Sequence, residues 1–158
     1  MGDCRKCNGR DDLRDFHWGA GLARLLHWLA GVSSQANALA ARLMRFATRV
    51  VVFARAMPRD PASQVIAKQL TASGTSQSAN YHSARRGRSR DEFIAKLGVA
   101  AEEADETEHW LEVIRDAHII STAAGLRELD SLADESRQLR AILVASVRTA
   151  RANRRNRQ

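Results

Sequence analysis

QLTASGTSQSANYHSARRGRSRDEFIAKLGVAAEEADETEHWLEVI, residues 69–114, decides the fold of this chain. Within it a helix ends, an arginine-rich turn follows, a new helix is capped, and an apolar stripe begins. Ser89 and Glu92 have the spacing of a capping box, in which the serine oxygen accepts the N3 amide and the glutamate reaches back. Phe93, Leu97, Ala100, Ala104, Thr107, Leu111 and Ile114 then recur at four and three residues without a slip, as the buried seam of a helix bundle does. Gly87 stands where the end of the preceding helix would use a positive φ.

The same periodicity extends outward in both directions. Leu39, Leu43, Phe46, Val50, Phe53 and Met57 form a stripe on an earlier helix, which Pro58 ends because proline disfavours the α region in the residue before it. Asp60-Pro61 is a start signal, with aspartate as cap and proline at the first helical position. Val65, Ile66, Gln69 and Leu70 begin the buried face of that second helix, whose later half is small and polar. A last helix, starting near Ser121 or Thr122, turns Leu126, Leu129, Leu132, Leu139, Leu143 and Val147 inward. The predicted helices are 36–57, 61–86, 90–117 and 122–152. Short connections make consecutive helices antiparallel, so the expected fold is all-α, an up-down-up-down four-helix bundle.

The motifs Ser73–Ser76, Ala79–Tyr81, Ser89-Arg90, Glu92–Ile94, Lys96-Leu97, Glu102–Glu106 and Trp110–Glu112 resemble those of the four-helix-bundle proteins encoded in intervening sequences of 23S ribosomal RNA genes. The resemblance runs from about Leu39 to Ala152 and includes the segment Ile142–Arg151. It implies a homopentameric ring. Similar bundles are accessory subunits of diversity-generating retroelements, where they assist a reverse transcriptase, so a reverse transcriptase or another protein partner is implied as well. Two positions depart from the pattern. Gln77-Ser78 replaces an aliphatic residue and glycine, and His118 replaces the glycine that ends the third helix. Residues 1–33 match nothing in the family, although Leu22, Leu25 and Leu29 keep helical spacing. The expected organisation is an extension over 1–33, the bundle over 34–152 and a basic tail over 153–158.

At 158 residues the chain has the length of one domain, long enough to bury a core without staples. Its two cysteines, Cys4 and Cys7, form no disulfide framework, which suits a reducing cytoplasm. No apolar run reaches the length of a membrane span. Phe16–Val32 has the apolar character of an export signal but is interrupted by His17, Arg24 and His27.

Chemistry in the sequence is sparse. Cys4-Arg5-Lys6-Cys7 is half of a zinc site, but His17 and His27 are too far apart to be the usual second pair. Glu106 and His109 make one Glu-x-x-His, whereas di-iron bundles need two together with further glutamates. Asn80 and Tyr81 are expected in a polar layer where the second helix meets its neighbours. No nucleophile elbow or phosphate fingerprint occurs, so the reading is non-enzymatic, with no metal and no cofactor.

Charge is the informative feature. The net charge of +7 divides into +1 over residues 1–33, +9 over 34–90, −8 over 91–147 and +5 over 148–158. Arg85, Arg86, Arg88 and Arg90 flank the turn between the second and third helices, and Arg148, Arg151, Arg154, Arg155 and Arg157 follow at the end of the fourth. An up-down bundle brings both groups to one pole. Arginine forks suit phosphates, and the near absence of neighbouring aromatics argues against base stacking. The expected function is binding of RNA or DNA phosphates with little sequence preference. The competing expectation is a protein-interaction scaffold in which the charge split only drives assembly.

Overall fold

The computed structural model describes residues 18–155, with side chains from Ser34 onward. It has four helices: α1 (Trp18–Arg55), α2 (Pro61–Arg85), α3 (Arg90–Asp116) and α4 (Ala123–Arg155). The chain divides into two compact units, Met1–Asn37 and Ala38–Gln158. In the first, residues 18–37 are helical. Helix α1 therefore begins well before the expected start at 36, since Trp18–Gln35 contains no proline to interrupt a leucine- and alanine-rich run. Cys4, Cys7, His17 and Arg157 lie outside the described residues, as do the side chains of Leu22, Leu25, His27 and Leu29.

The second unit is an all-α up-down bundle. Its core joins Leu43, Phe46 and Val50 of α1, Leu70 and Tyr81 of α2, Leu97, Leu111 and Ile114 of α3, and Leu129, Leu132, Leu139 and Leu143 of α4. Three expectations about burial need correction. Val65 is exposed, as is Gln69, because α2 turns Ser63, Ala67, Leu70, Gly74 and Gln77 inward instead. Its small residues buried by close backbone approach outweigh the short aliphatic run on which the sequence reading relied. Leu126 is also exposed, one turn inside the start of α4. Phe93 is only half-buried, and its neighbour Ile94 takes the inner position.

Both start signals form as the sequence indicates. The Ser63 amide donates to Asp60 Oδ1 at 3.0 Å. These bonds hold the Asp60 carboxyl below the usual carboxylate range. The Glu92 amide donates to Ser89 Oγ at 3.1 Å, while Glu92 Oε2 accepts from the Arg88 amide at 2.9 Å, one residue before the cap. Helix ends differ from one another. Gly87 has no positive φ. A Cβ there would instead lie 3.1 Å from the Ala84 carbonyl oxygen and 3.2 Å from the Phe93 amide, so glycine serves a tight turn. His118 does adopt φ 50° and closes α3. Its amide donates to the Arg115 carbonyl and that of Ile119 to the Ile114 carbonyl, the two bonds of a Schellman end.

Neighbouring helices are fixed by a few specific contacts. Gly74 of α2 lies against α1, where a Cβ would stand 2.8 Å from Val50 Cγ1. Gln77, fully buried, donates to Thr107 Oγ1 of α3 at 3.3 Å. This pair is the polar layer between α2 and its neighbour. Asn80 bonds within its own helix, to the Ser76 carbonyl and hydroxyl, because its position leaves it half-buried beside the seam. Arg42 of α1 grips Glu135 of α4 through two parallel bonds of 2.6 and 2.8 Å. Arg140 of α4 pairs with Glu108 and Asp105 of α3.

Candidate nucleic-acid interface

The two arginine groups are set by opposite helix ends that meet. Helix α2 finishes at Arg85, the turn carries Arg86 and Arg88, and α3 starts at Arg90. Helix α4 continues to Arg155, three residues beyond the expected end, and returns to this pole. The join is visible in one ion pair: Arg154 Nε lies 3.1 Å from Asp91 Oδ1, in the first turn of α3.

Around that join the arginines fan out. Arg88 is almost fully exposed, with Glu92 at 3.8 Å. Arg86 and Arg90 are exposed as well. Arg148, Arg151 and Arg155 line an open trough of about 600 Å³ between α3 and α4, facing Glu102 and Asp105 across it. Arg148, Arg151 and Arg155 make no ion pair among the described residues. They occur three and four residues apart, hence on one side of α4. Gly98 also lines this trough, and nothing lies within 4 Å of where its Cβ would be.

Electrostatically the pole is not uniform. Arg154 is partly neutralised by Asp91, and Arg88 by Glu92, while the arginines of the trough face carboxylates across open space. An anion arriving at the pole meets arginine forks from three chain segments.

A second trough, about 540 Å³, runs between α1 and α2 and was not foreseen. Met44, Thr48 and Val51 form one wall and Ser78, Ala79, His82 and Arg86 the other. Behind this wall the Ser78 hydroxyl and His82 Nε2 are shielded from solvent and have no hydrogen-bond partner. The signal in the sequence is the i, i+4, i+8 spacing of Ser78, His82 and Arg86, which puts all three on one side of α2. Glu106 and His109, the described residues weighed for metal binding, line neither trough. His109 is exposed and meets Trp110 edge-on, with ring centroids 5.1 Å apart. Among the described residues no group of three histidine, cysteine, aspartate or glutamate side chains is arranged to hold a metal ion. No helix among them is long and apolar enough to cross a membrane.

Comparison with known proteins agrees with this architecture. A solved structure from Bacteroides thetaiotaomicron, described as a protein of unknown function from the S23 ribosomal protein family, superposes with a TM-score of 0.63 at 30% sequence identity. The match covers 72% of this chain and 97% of that one. No curated protein matches the chain. The 23S rRNA-intervening sequence protein family matches residues 36–145, from the start of the bundle into the last turns of α4, and the chain belongs to that family.

Proposed function

We propose that this protein is a non-enzymatic, ring-forming bundle that binds RNA or DNA through the phosphate backbone at its arginine pole. The observation that carries the reading is the Arg154–Asp91 contact, which brings the end of α4 to the start of α3 and so gathers two arginine groups separated by more than fifty residues of sequence. Phosphate contacts confer affinity without sequence information. The ring rests on charge: the +9 and −8 segments give each subunit two different complementary patches, as a head-to-tail ring requires. Five copies is the number implied by the family resemblance. A ring repeats the pole, so that several weak sites act together on one long polyanion. Ribosomal RNA and the template of a reverse transcriptase are both polyanions of the required kind.

Replacing Arg85, Arg86, Arg88 and Arg90 with alanine tests this. Affinity for RNA should fall by a similar factor for every sequence, the salt dependence should flatten, and the assembled mass should stay the same. A specific observation favours the scaffold reading: Arg88 and Arg154 are already engaged by Glu92 and Asp91. If the four-alanine protein binds RNA as the parent does, the pole is a solvated surface and that reading replaces the first.

A further inference from the structure

Helices α3 and α4 run antiparallel, and two ion pairs set their register: Arg154 with Asp91 near the pole, and Arg140 with Asp105 further in. Stepping along the helices from these pairs puts Arg155, Arg151 and Arg148 in the outer part of the α3/α4 trough. Glu102 and Asp105 stand at its inner end, with Glu102 about 7 Å beyond Arg148 along the axis. Between the two groups the floor is small and apolar, made of Gly98, Ala101, Val144 and Val147. The trough is therefore basic where it opens to the pole and acidic where it ends.

A site for phosphate alone would gain nothing from these carboxylates, which repel it. Nor are they consumed by the arginines beside them. Glu102 makes no ion pair among the described residues. Asp105 is largely exposed and meets Arg140 at 3.5 Å, which leaves it lone pairs for a further donor. An ionised carboxylate can only accept hydrogen bonds. Along a nucleic-acid strand the phosphates offer no donor, and the donors on the bases change with sequence. The ribose 2′-hydroxyl is the donor that recurs at every nucleotide, and DNA lacks it.

We propose that the α3/α4 trough selects RNA over DNA. Phosphates of the strand lie on Arg148, Arg151 and Arg155, and the riboses that follow cross the apolar floor and donate their 2′-hydroxyls to Glu102 and Asp105. Nothing lies within 4 Å of where a Gly98 Cβ would be, so the floor leaves room for a sugar. A DNA strand in the same place gives the carboxylates no donor and keeps only their repulsion of its backbone. Selection thus combines an attraction for one sugar with a penalty against the other, and it reads no base.

This inference rests on the phosphate-binding reading, and one experiment separates the two. The full chain and its Glu102→Ala/Asp105→Ala variant are titrated at one salt concentration with three single strands of the same adenine–cytosine sequence: RNA, DNA and 2′-O-methyl RNA. Both side chains are exposed, so the double variant leaves the core intact, and circular dichroism checks its helical content. The parent should bind RNA about tenfold or more tighter than DNA or 2′-O-methyl RNA, the size expected for a hydrogen bond to a charged group. In the double variant DNA should bind tighter than it does to the parent, and the three strands should converge. Equal binding of RNA and DNA by the parent would overturn the ribose assignment while leaving the phosphate pole in place. An RNA preference that persists in the double variant, or that 2′-O-methyl RNA shares, would also overturn it. Failure of all three strands to bind the parent would overturn the phosphate-binding reading, and the ribose assignment with it.

Discussion

Gly74 and Gly98 are both helical glycines, and alanine should act on them in opposite directions. Alanine is favoured over glycine inside a helix by about 0.8–1.0 kcal/mol, a gain that both sites share. At Gly98 nothing lies within 4 Å of the added methyl, so Gly98→Ala should keep that gain in full. At Gly74 the methyl would meet Val50 Cγ1 at 2.8 Å and its Cβ and Cγ2 at 3.2 Å. Val50 is fully buried and cannot swing into solvent, so α1 and α2 must separate. Overpacking of this kind costs about 1–3 kcal/mol, which leaves Gly74→Ala neutral to about 2 kcal/mol destabilised. The difference between the two variants should therefore be about 1–3 kcal/mol, or several degrees in melting temperature for a chain of this size. Urea and thermal unfolding at one protein concentration would measure it. Adding Val50→Ala should relieve the clash, with a favourable coupling of about 1 kcal/mol or more in the double-mutant cycle. If Gly74→Ala stabilised the protein as much as Gly98→Ala, the close approach of α1 and α2 would be refuted.

Two further substitutions test the contacts between helices. Arg42→Ala removes the two-pronged grip on Glu135, so it should cost about 1 kcal/mol at neutral pH, discounted because both side chains are partly solvated. Arg42 holds the Glu135 carboxyl below its ordinary value, so the contribution is present above the usual glutamate range and disappears as pH falls through the lowered value. Parent and variant should converge in strong acid, and a gap that persisted there would contradict the ion-pair assignment. Gln77→Leu removes a buried amide whose oxygen has no partner, while the Thr107 hydroxyl keeps its bond to the Glu103 carbonyl. It should stabilise the fold by about 1 kcal/mol in chemical unfolding. A loss of that size would mean the amide oxygen is satisfied in solution.

The four helices were legible because their signals are local. Asp60-Pro61 and Ser89 with Glu92 announce their starts, and the seam from Leu97 to Ile114 keeps its period to the end. Helix α2 was harder to phase. Its buried residues are alanine, serine, glycine and glutamine, so close backbone approach, invisible to a hydrophobic count, decides which side faces in. The start of α1 was missed because a helix can continue through a run with no breaker, whatever family boundary falls inside it. Convergence of the two arginine groups followed from topology alone, and the Arg154–Asp91 pair is its structural counterpart. The α1/α2 trough could not be read in advance, since it depends on the spacing between helices and on two polar atoms left without partners.

The most direct test of the account is the binding of a labelled single-stranded RNA by the purified full-length protein, followed by fluorescence anisotropy between 50 and 200 mM salt. Binding by backbone contact displaces counterions, so affinity should fall by roughly 10³-fold or more across that range if six or more phosphates are engaged. RNAs of different sequence should give nearly the same slope. No binding at 50 mM salt, or binding that ignores salt, would contradict the phosphate-binding pole.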